Sequence, residues 1–207
     1  MTEDEARAWL LARNVPRGTI TRLDAFDRLL RSENERQNLV SAPSLASLWA
    51  RHIVDSAQLL DLAKPGSWVD LGSGAGFPGL VIAAVGEREV TLVESRTKRI
   101  AFLRDAAEVL EISERVTIFP GRVETLSARA FAVISARAFA PLGRLLPVAH
   151  HLSSSETTWI LPKGRSAEEE LAEVSDSWQG TFRIVPSVTD PDAAIIVATQ
   201  VRPRNRR

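Results

Sequence analysis

Cysteine is absent from the 207-residue chain, which excludes disulfides, thiolate metal ligands and cysteine nucleophiles. Absent too is any stretch of the roughly 18 consecutive apolar residues that a membrane-crossing helix needs. Neither charge is in excess, since 26 Lys and Arg balance 26 Asp and Glu. A neutral chain does not grip naked nucleic acid by charge alone. Lysine is scarce, with only three (Lys64, Lys98 and Lys163) among the 26 basic residues. The arginines that make up the rest favour bidentate phosphate contacts, although codon usage in a GC-rich genome gives the same count. Internal repeats and interdomain linkers are missing as well. What is present, 44% hydrophobic and 25% charged residues, suits one sizeable globular core. The opening "MTEDEARAWL" is acidic and amphipathic, unlike a secretory signal or an Arg-rich transit peptide. A cytoplasmic location without a metal site is the expectation.

The first 63 residues read as helices. Leu23, Phe26, Leu29 and Leu30 recur at helical spacing with charges between them. A second helix is expected from Pro43 and Ser44, with Leu45, Leu48, Trp49, Ile53, Leu59 and Leu60 as its buried stripe. "KPGS" at 64–67 breaks it. From there short β-rich runs alternate with helical stretches: "WVDL", "VTLVE", "RVTIF", "FAVIS" and "TTWIL" are the runs. The helices between them fall at about 78–85, 96–111, 141–151 and 166–177. This alternation predicts an α/β fold with a Rossmann-like, mostly parallel seven-stranded sheet covered on both faces. "TFRIVPSV" and "AAIIVATQV", joined by "TDPD", predict a C-terminal antiparallel hairpin. One domain over 1–207 is expected, made of a helical N-terminal extension (1–63), the core (64–201) and a basic tail (202–207).

"VDLGSGAGFPG" (69–79) places four glycines directly behind the first apolar run. In an open α/β sheet, ligands sit beyond the C-terminal ends of the strands, where Gly72, Gly74 and Gly76 fall. Glycine lets the backbone reach positive φ and lets a ligand touch it. The helix from about Pro78 would turn its N–H groups and positive dipole end towards that ligand. A literal G-x-G-x-x-G at 74–79 matches the dinucleotide fingerprint, but in a late register. An acid ending strand one, followed by G-x-G-x-G, resembles instead the turn of S-adenosylmethionine-dependent methyltransferases. That ligand carries an ammonium, a sulfonium and a single carboxylate, so Asp70 would meet its cationic amino-acid portion. Glu94 ends the second strand, as an acid must to hydrogen-bond both ribose hydroxyls. Its other reading is a solvent-exposed acid capping the helix at Arg96. In "PGRVE" (120–124), position alone sets the Val123 backbone and the Glu124 carboxylate against an adenine edge.

Methyl transfer from a sulfonium needs in-line alignment more than acid–base machinery, because the leaving group is neutral. No general base is expected. Cytosine C5 chemistry requires a cysteine, which is absent, and the exocyclic-amine enzymes carry an Asn/Asp-Pro-Pro-aromatic loop after strand four. Here that loop reads "SARAFAPL" (135–142). Guanine N7 is already nucleophilic, and a site lined by Arg137, Phe139 and backbone would suit it.

"NLVS" (38–41), "RHIVDS" (51–56), "DLGSGAGFPG" (70–79), "KRIAFLR" (98–104), "GRVE" (121–124), "SARAFAPL" (135–142) and "LPKG" (161–164) follow one another in order. Together they resemble the RsmG family of 16S rRNA guanine-N7 methyltransferases, also called the glucose-inhibited division protein B family. The resemblance implies S-adenosylmethionine contacts at Gly72, Phe77, Val123, Glu124 and Arg137. It also implies a substrate in the decoding-region loop of 16S rRNA in the small ribosomal subunit, with no DNA or membrane partner. Many members carry Asp in strand four where this chain has Ala132, which puts in doubt any role for that acid.

Several residues keep two readings. Arg51, His52 and Asp55 either cover the cofactor mouth and position RNA or methionine, or form a hydrogen-bonded cluster that ties the helical segment down. Lys163 is a phosphate contact or an exposed loop lysine. The tail "RPRNRR" is an RNA-touching arm or a solubilising end. His150 and His151 read as helix C-terminal residues. "AEEELAEVSD" (167–176) reads as a solvated acidic face. A small-molecule or protein methyltransferase, and a degenerate fold serving as a binding module, are the alternatives to an rRNA enzyme; a monomer is the default.

Overall fold

The structure, a computed structural model, describes residues 1–204. Thr2 opens the first helix, α1 (Glu3–Ala12), through a reciprocal capping box with Glu5. In α2 (Arg17–Asn34) the expected stripe is the buried one: Leu23, Phe26 and Leu30 face the core. The long second helix is instead broken. A short α3 (Ala42–Ala46) is followed by a π-helical run, Trp49–Val54, then by α4 (Asp55–Ala57) and a 3-10 turn, Gln58–Leu62. The wider π turn rotates successive side chains off the α-helical stripe. Trp49, Ala50, His52, Ile53 and Val54 are consequently all buried, a set that no single α-helical face could hold. The start of this run is capped from afar, with Glu3 accepting hydrogen bonds from the Trp49 and Ala50 amides, both at 3.1 Å.

The core alternates as expected: β1 (Trp68–Leu71), α5 (Gly79–Val85), β2 (Val90–Glu94), α6 (Thr97–Val109), β3 (Val116–Pro120), β4 (Val133–Ser135), α7 (Leu142–Ala149), β5 (Thr158–Lys163), α8 (Ala167–Val174), β6 (Trp178–Pro186) and β7 (Ala194–Pro203). The seven strands run in the order β3-β2-β1-β4-β5-β7-β6. The first five are parallel, and β7 is antiparallel to both its neighbours. The chain leaves β1 in one direction for β2 and β3, then returns to start β4 on the other side. The crevice beyond β1 and β4 is therefore the switch point where open α/β sheets bind ligands.

Alternate strand residues feed two apolar layers. The N-terminal helices, α5 and α6 cover one face with Phe26, Ile53, Leu80 and Leu103; α7 and α8 cover the other with Leu142, Leu145, Leu146 and Val174. The central strands β1 and β2 are buried along their whole length, as parallel strands covered on both faces must be.

Gly79 shows how tightly the site end of the sheet is packed. A Cβ there would collide with Leu92 Cδ2 and come within 3.0 Å of the Asp70 Cβ and Oδ2 atoms. Gly79→Ala is expected to destabilise the fold by about 1–3 kcal/mol through overpacking. Denaturant unfolding of the variant and the wild type measures it; equal midpoints would contradict the packing described.

Candidate active site

Asp70 ends β1 in the crevice and is 0% exposed. Its Oδ1 accepts from the Ser135 hydroxyl at 2.8 Å, across the β1–β4 pairing, and its Oδ2 from the Gly79 amide at 3.2 Å. Ser135 in turn accepts from the Trp68 indole N–H at 2.9 Å. Burial pushes the Asp70 carboxyl up to about 6; the bonds from Ser135, Ser73 and Gly79 and the Arg137 charge oppose the rise. Asp70 thus differs from the sequence expectation. Its carboxylate does not open onto the cleft but holds the turn together from beneath. The N–H group expected to face a ligand from the start of α5 is likewise spent, on Asp70.

The turn itself needs its glycines. Gly72 and Gly76 have φ of +70° and +87°, and the Phe139 ring lies so close over Gly72 that a Cβ would strike it. Gly74 donates its amide to Glu94 Oε2 at 3.1 Å. Glu94 is buried, not solvent-exposed: Oε1 accepts from the Ser95 and Arg96 amides at 2.8 and 2.9 Å, and Arg99 lies 3.7 Å from Oε2. It caps α6 and fixes the turn with the same carboxylate. Val123 is buried in a 3-10 turn after β3, and the neighbouring Glu124 is exposed. Its hydrogen bond from Arg122 holds its carboxyl below the usual range. The Phe77 ring is packed in the core, edge-on to Phe26 with centroids 5.5 Å apart.

Beside the turn lies a cavity of about 710 Å³. Arg51, His52, Arg137, Phe139 and Lys163, all five residues expected on the acceptor side, line it. Among the cofactor-side residues of the described chain only Arg137 does so, and the Phe139 ring packs over Gly72. Arg137 is held at three points. It donates to the Arg51 carbonyl at 3.2 Å, pairs with Asp55 at 3.4 Å, and lies 5.1 Å from the centre of the Phe77 ring.

Asp55 also accepts from Gln58 at 2.9 Å and from Thr189 and Ser187 at 3.2 and 3.4 Å. The helical segment is tied in this way to the β6–β7 loop. Both readings of the "RHIVDS" segment meet here: Arg51 and His52 line the cavity, while Asp55 forms the anchoring cluster. His52 itself bonds to nothing through its ring. It is 8% exposed and stacks on Phe77 with centroids 4.8 Å and planes 16° apart. Neither ring nitrogen has a hydrogen-bond partner. Burial, with Arg137 and Arg51 adding to it, lowers its pKa from 6.5 to about 3. It is a neutral imidazole at any physiological pH.

Lys163 is a correction as well. It is neither exposed nor a free cation, since its ammonium pairs with Glu170 at 2.7 Å and donates to the Ala140 carbonyl at 3.0 Å. Glu170 therefore leaves the expected solvated face of α8. It also accepts from the Leu142 amide at 2.7 Å and caps α7. Ser187, Thr189, Gln58 and Glu170 are the residues the sequence reading missed. Ordinary polar side chains far apart in the chain carry no local signal of such convergence. His150 packs 5.4 Å from the Trp178 ring and His151 approaches the Leu126 carbonyl at 3.0 Å, outside this cavity. Of the basic tail, Arg202 and Pro203 belong to β7, and Arg204 donates to the Ser175 carbonyl at 2.9 Å. Asn205, Arg206 and Arg207 lie outside the described residues.

The sheet order, the glycine turn after β1 and the adjoining cavity define a class I methyltransferase fold. It is similar to the glycopeptide N-methyltransferase MtfA complexed with S-adenosyl-L-methionine, at a TM-score of 0.62 and 12% identity, covering 72% of this chain and 94% of that one. It is also similar to a putative O-methyltransferase from Klebsiella pneumoniae, at 0.59 and 17%, covering 85% and 90%. The family model described as "rRNA small subunit methyltransferase G" (GidB) matches residues 19–193, and the chain belongs to that family. A relative from Rhizorhabdus wittichii named "Ribosomal RNA small subunit methyltransferase G" is 57% identical over 100% of this chain and 96% of its own length. One of the same name from Zymomonas mobilis is 48% identical over 100% and 98%.

Two of the perturbed groups, His52 and Asp70, predict opposite pH effects. Below pH 6.5 the unfolded chain protonates His52 while the native state refuses the proton down to about 3, so acid destabilises the fold. Between about 6 and 3.8 the native state binds the extra proton at Asp70, so that group gains stability as pH falls. His52→Phe is expected to lose less stability than wild type on going from pH 6.5 to about 4, and Asp70→Asn to lose more, each by up to about 1.4 kcal/mol per pH unit within its window. Denaturant midpoints across that range test it. Three parallel curves would refute both assignments.

Proposed function

We propose that the protein transfers a methyl group from S-adenosylmethionine to N7 of a guanine in 16S rRNA of the small ribosomal subunit. The observation that carries this reading is the cavity beside the glycine turn, lined by Arg51, His52, Arg137 and Phe139, with the Phe139 ring packed over Gly72. The residues present suit the cofactor. Glu94, buried at the end of β2, can take a ribose hydroxyl; the Val123 backbone and Glu124 can read an adenine edge; Arg137 can meet the single carboxylate. Asp70 acts on the cofactor indirectly, by fixing Gly72, Gly74, Gly76 and Phe77. S-adenosylmethionine supplies the methyl group and leaves as a neutral thioether.

The protein's task is alignment. Guanine N7 has a free lone pair and no proton to lose, so nothing in the cavity has to act as a base. The carboxylates that border it are otherwise engaged, Asp55 by Arg137, Glu170 by Lys163 and Asp190 by Arg51. Phe139, 38% exposed, offers a face on which an unstacked base can rest, as base-modifying enzymes require. Arg51 borders the cavity and stays largely exposed beyond its pair with Asp190, so it is placed to meet a phosphate. Lys163 contributes by holding the Ala140 carbonyl, and so the loop that carries Arg137 and Phe139.

The zero net charge favours a ribonucleoprotein particle over bare RNA, because shape then adds to phosphate attraction. In this reading the chain works as a single domain and a monomer in the cytoplasm. Among the described residues no helix is long and apolar enough to cross a membrane.

The test is methyl transfer from labelled S-adenosylmethionine into small subunits from a strain lacking the activity, followed by nucleoside digestion. N7-methylguanosine is the expected product. Label in another nucleoside would overturn the acceptor atom. Label confined to protein or small molecules would overturn the RNA substrate.

A further inference from the structure

His52 is the least explained residue of the site. An imidazole that is 8% exposed normally spends at least one nitrogen on a hydrogen bond, since dehydrating a polar atom without a partner is costly. Here both nitrogens are buried without one, while the residue borders the cavity and Phe77 covers a face of its ring. The neighbouring groups do not supply a partner. Asp55, three residues on, is committed to Arg137, Gln58, Thr189 and Ser187. Arg51 pairs with Asp190 at 3.5 Å, and Arg137 with Asp55 and the Arg51 carbonyl. The fold therefore maintains a neutral, unspent donor–acceptor pair at the cavity, next to Arg51, Asp55 and Arg137, which are paired with other groups.

We propose that His52 is a specificity-determining residue that accepts a hydrogen bond from N1–H of the acceptor guanine through a ring nitrogen. This rests on the guanine-N7 reading given above. The usual way for protein to read guanine, a bidentate Arg on O6 and N7, would cover the atom that must take the methyl group. The opposite edge can be read with N7 left open; it offers N1–H and the N2 amino group as donors and so calls for an acceptor. Arginine and lysine have none, and a protonated histidine has none either. A neutral imidazole does.

Its neutrality serves the reaction as well. Positive charge builds on the purine as N7 is alkylated, and a cationic imidazole against it would oppose that charge. Alkylation at N7 also makes N1–H more acidic. A hydrogen bond from N1–H to His52 is therefore stronger in the transition state than in the ground state, the condition for it to raise turnover rather than binding alone. A guanine seated against His52 has to part the local packing to reach the nitrogen, and satisfying a buried unpaired acceptor favours that parting.

The experiment compares wild type with His52→Phe, which keeps a ring to stack on Phe77 but has no nitrogen, and with His52→Asn and His52→Gln, which restore an acceptor. Turnover into small subunits, KM for the subunit and the dissociation constant for S-adenosylmethionine are measured for each. The expected result is a fall in kcat of about 10–100-fold for His52→Phe, the range of a modest transition-state interaction. Cofactor affinity should stay within about threefold of wild type, which also certifies the fold, and one of the amide variants should recover part of the rate. Equal kcat for wild type and His52→Phe overturns the proposal, as does rate lost in parallel with cofactor affinity, or amide variants no better than Phe. A wild-type protein that forms no N7-methylguanosine is a separate failure, that of the guanine-N7 reading itself.

Discussion

A single buried carboxylate holds the working end of the sheet in place. Asp70 joins β1 to β4 through Ser135 and to the start of α5 through Gly79, and Ser135 carries the chain of bonds on to the Trp68 indole. Stripping such a group of water costs several kcal/mol unless its oxygens are matched by donors. Both oxygens are matched here, one by a side chain and one by the backbone. The match works only if β4 lies beside β1 and the turn of residues 72–78 closes back within reach, so the bonds select the crossover and the turn together. The left-handed glycines, the burial of Phe77 and the seat of the Phe139 ring over Gly72 all follow from that closure.

The cavity has a different architecture from the turn. Three of its walls, the π-helical run, the loop after β4 and the β6–β7 loop, are joined by side chains. Asp55 bonds Arg137 on one side and Ser187 and Thr189 on the other, while Arg51 gives its carbonyl to Arg137 and pairs with Asp190. Lys163 and Glu170 repeat the device on the far wall, fixing Ala140 and the start of α7. These buried polar networks set position rather than add much stability, since a partner lost from either would leave a charge uncompensated.

Much of the fold was legible because it is written in periodicities. Val90, Leu92 and Val93, or Leu142, Leu145 and Leu146, announce a strand and a helix by spacing alone. The π-helical run was not legible, because one extra residue in a turn leaves no mark on composition, and the stripe from Leu45 to Leu60 still reads as α-helix. The position of the site could be read from Asp70, the glycines and Glu94, since strand ends are fixed once strands are. What Asp70 does could not. It was expected to face a ligand, and it accepts instead from the Ser135 hydroxyl and the Gly79 amide. Glu94 keeps the capping half of its second reading, through the Arg96 amide, but its bond from the Gly74 amide was hidden. Ser135, Gly74 and Gly79 belong to other turns or strands, and sequence position says nothing of which way a carboxylate points. The pairing of Lys163 with Glu170 was hidden for the same reason: its members look like an exposed lysine and an acidic helix surface until α8 folds back over the end of β5.

The placement of β7 bears on how the molecule comes into being. β7 follows β6 in the chain but is inserted between β5 and β6, so β6 has no neighbour in the sheet before β7 arrives. The loop that delivers Ser187 and Thr189 to Asp55, over a separation of 132 and 134 residues, is fixed only when that strand is zipped in. A nascent chain can therefore build β1, its glycine turn and the Asp70 bonds while the cavity beside them still lacks a wall. A prematurely terminated chain would share that fate, carrying a well-formed turn for one reactant and no enclosure for the other.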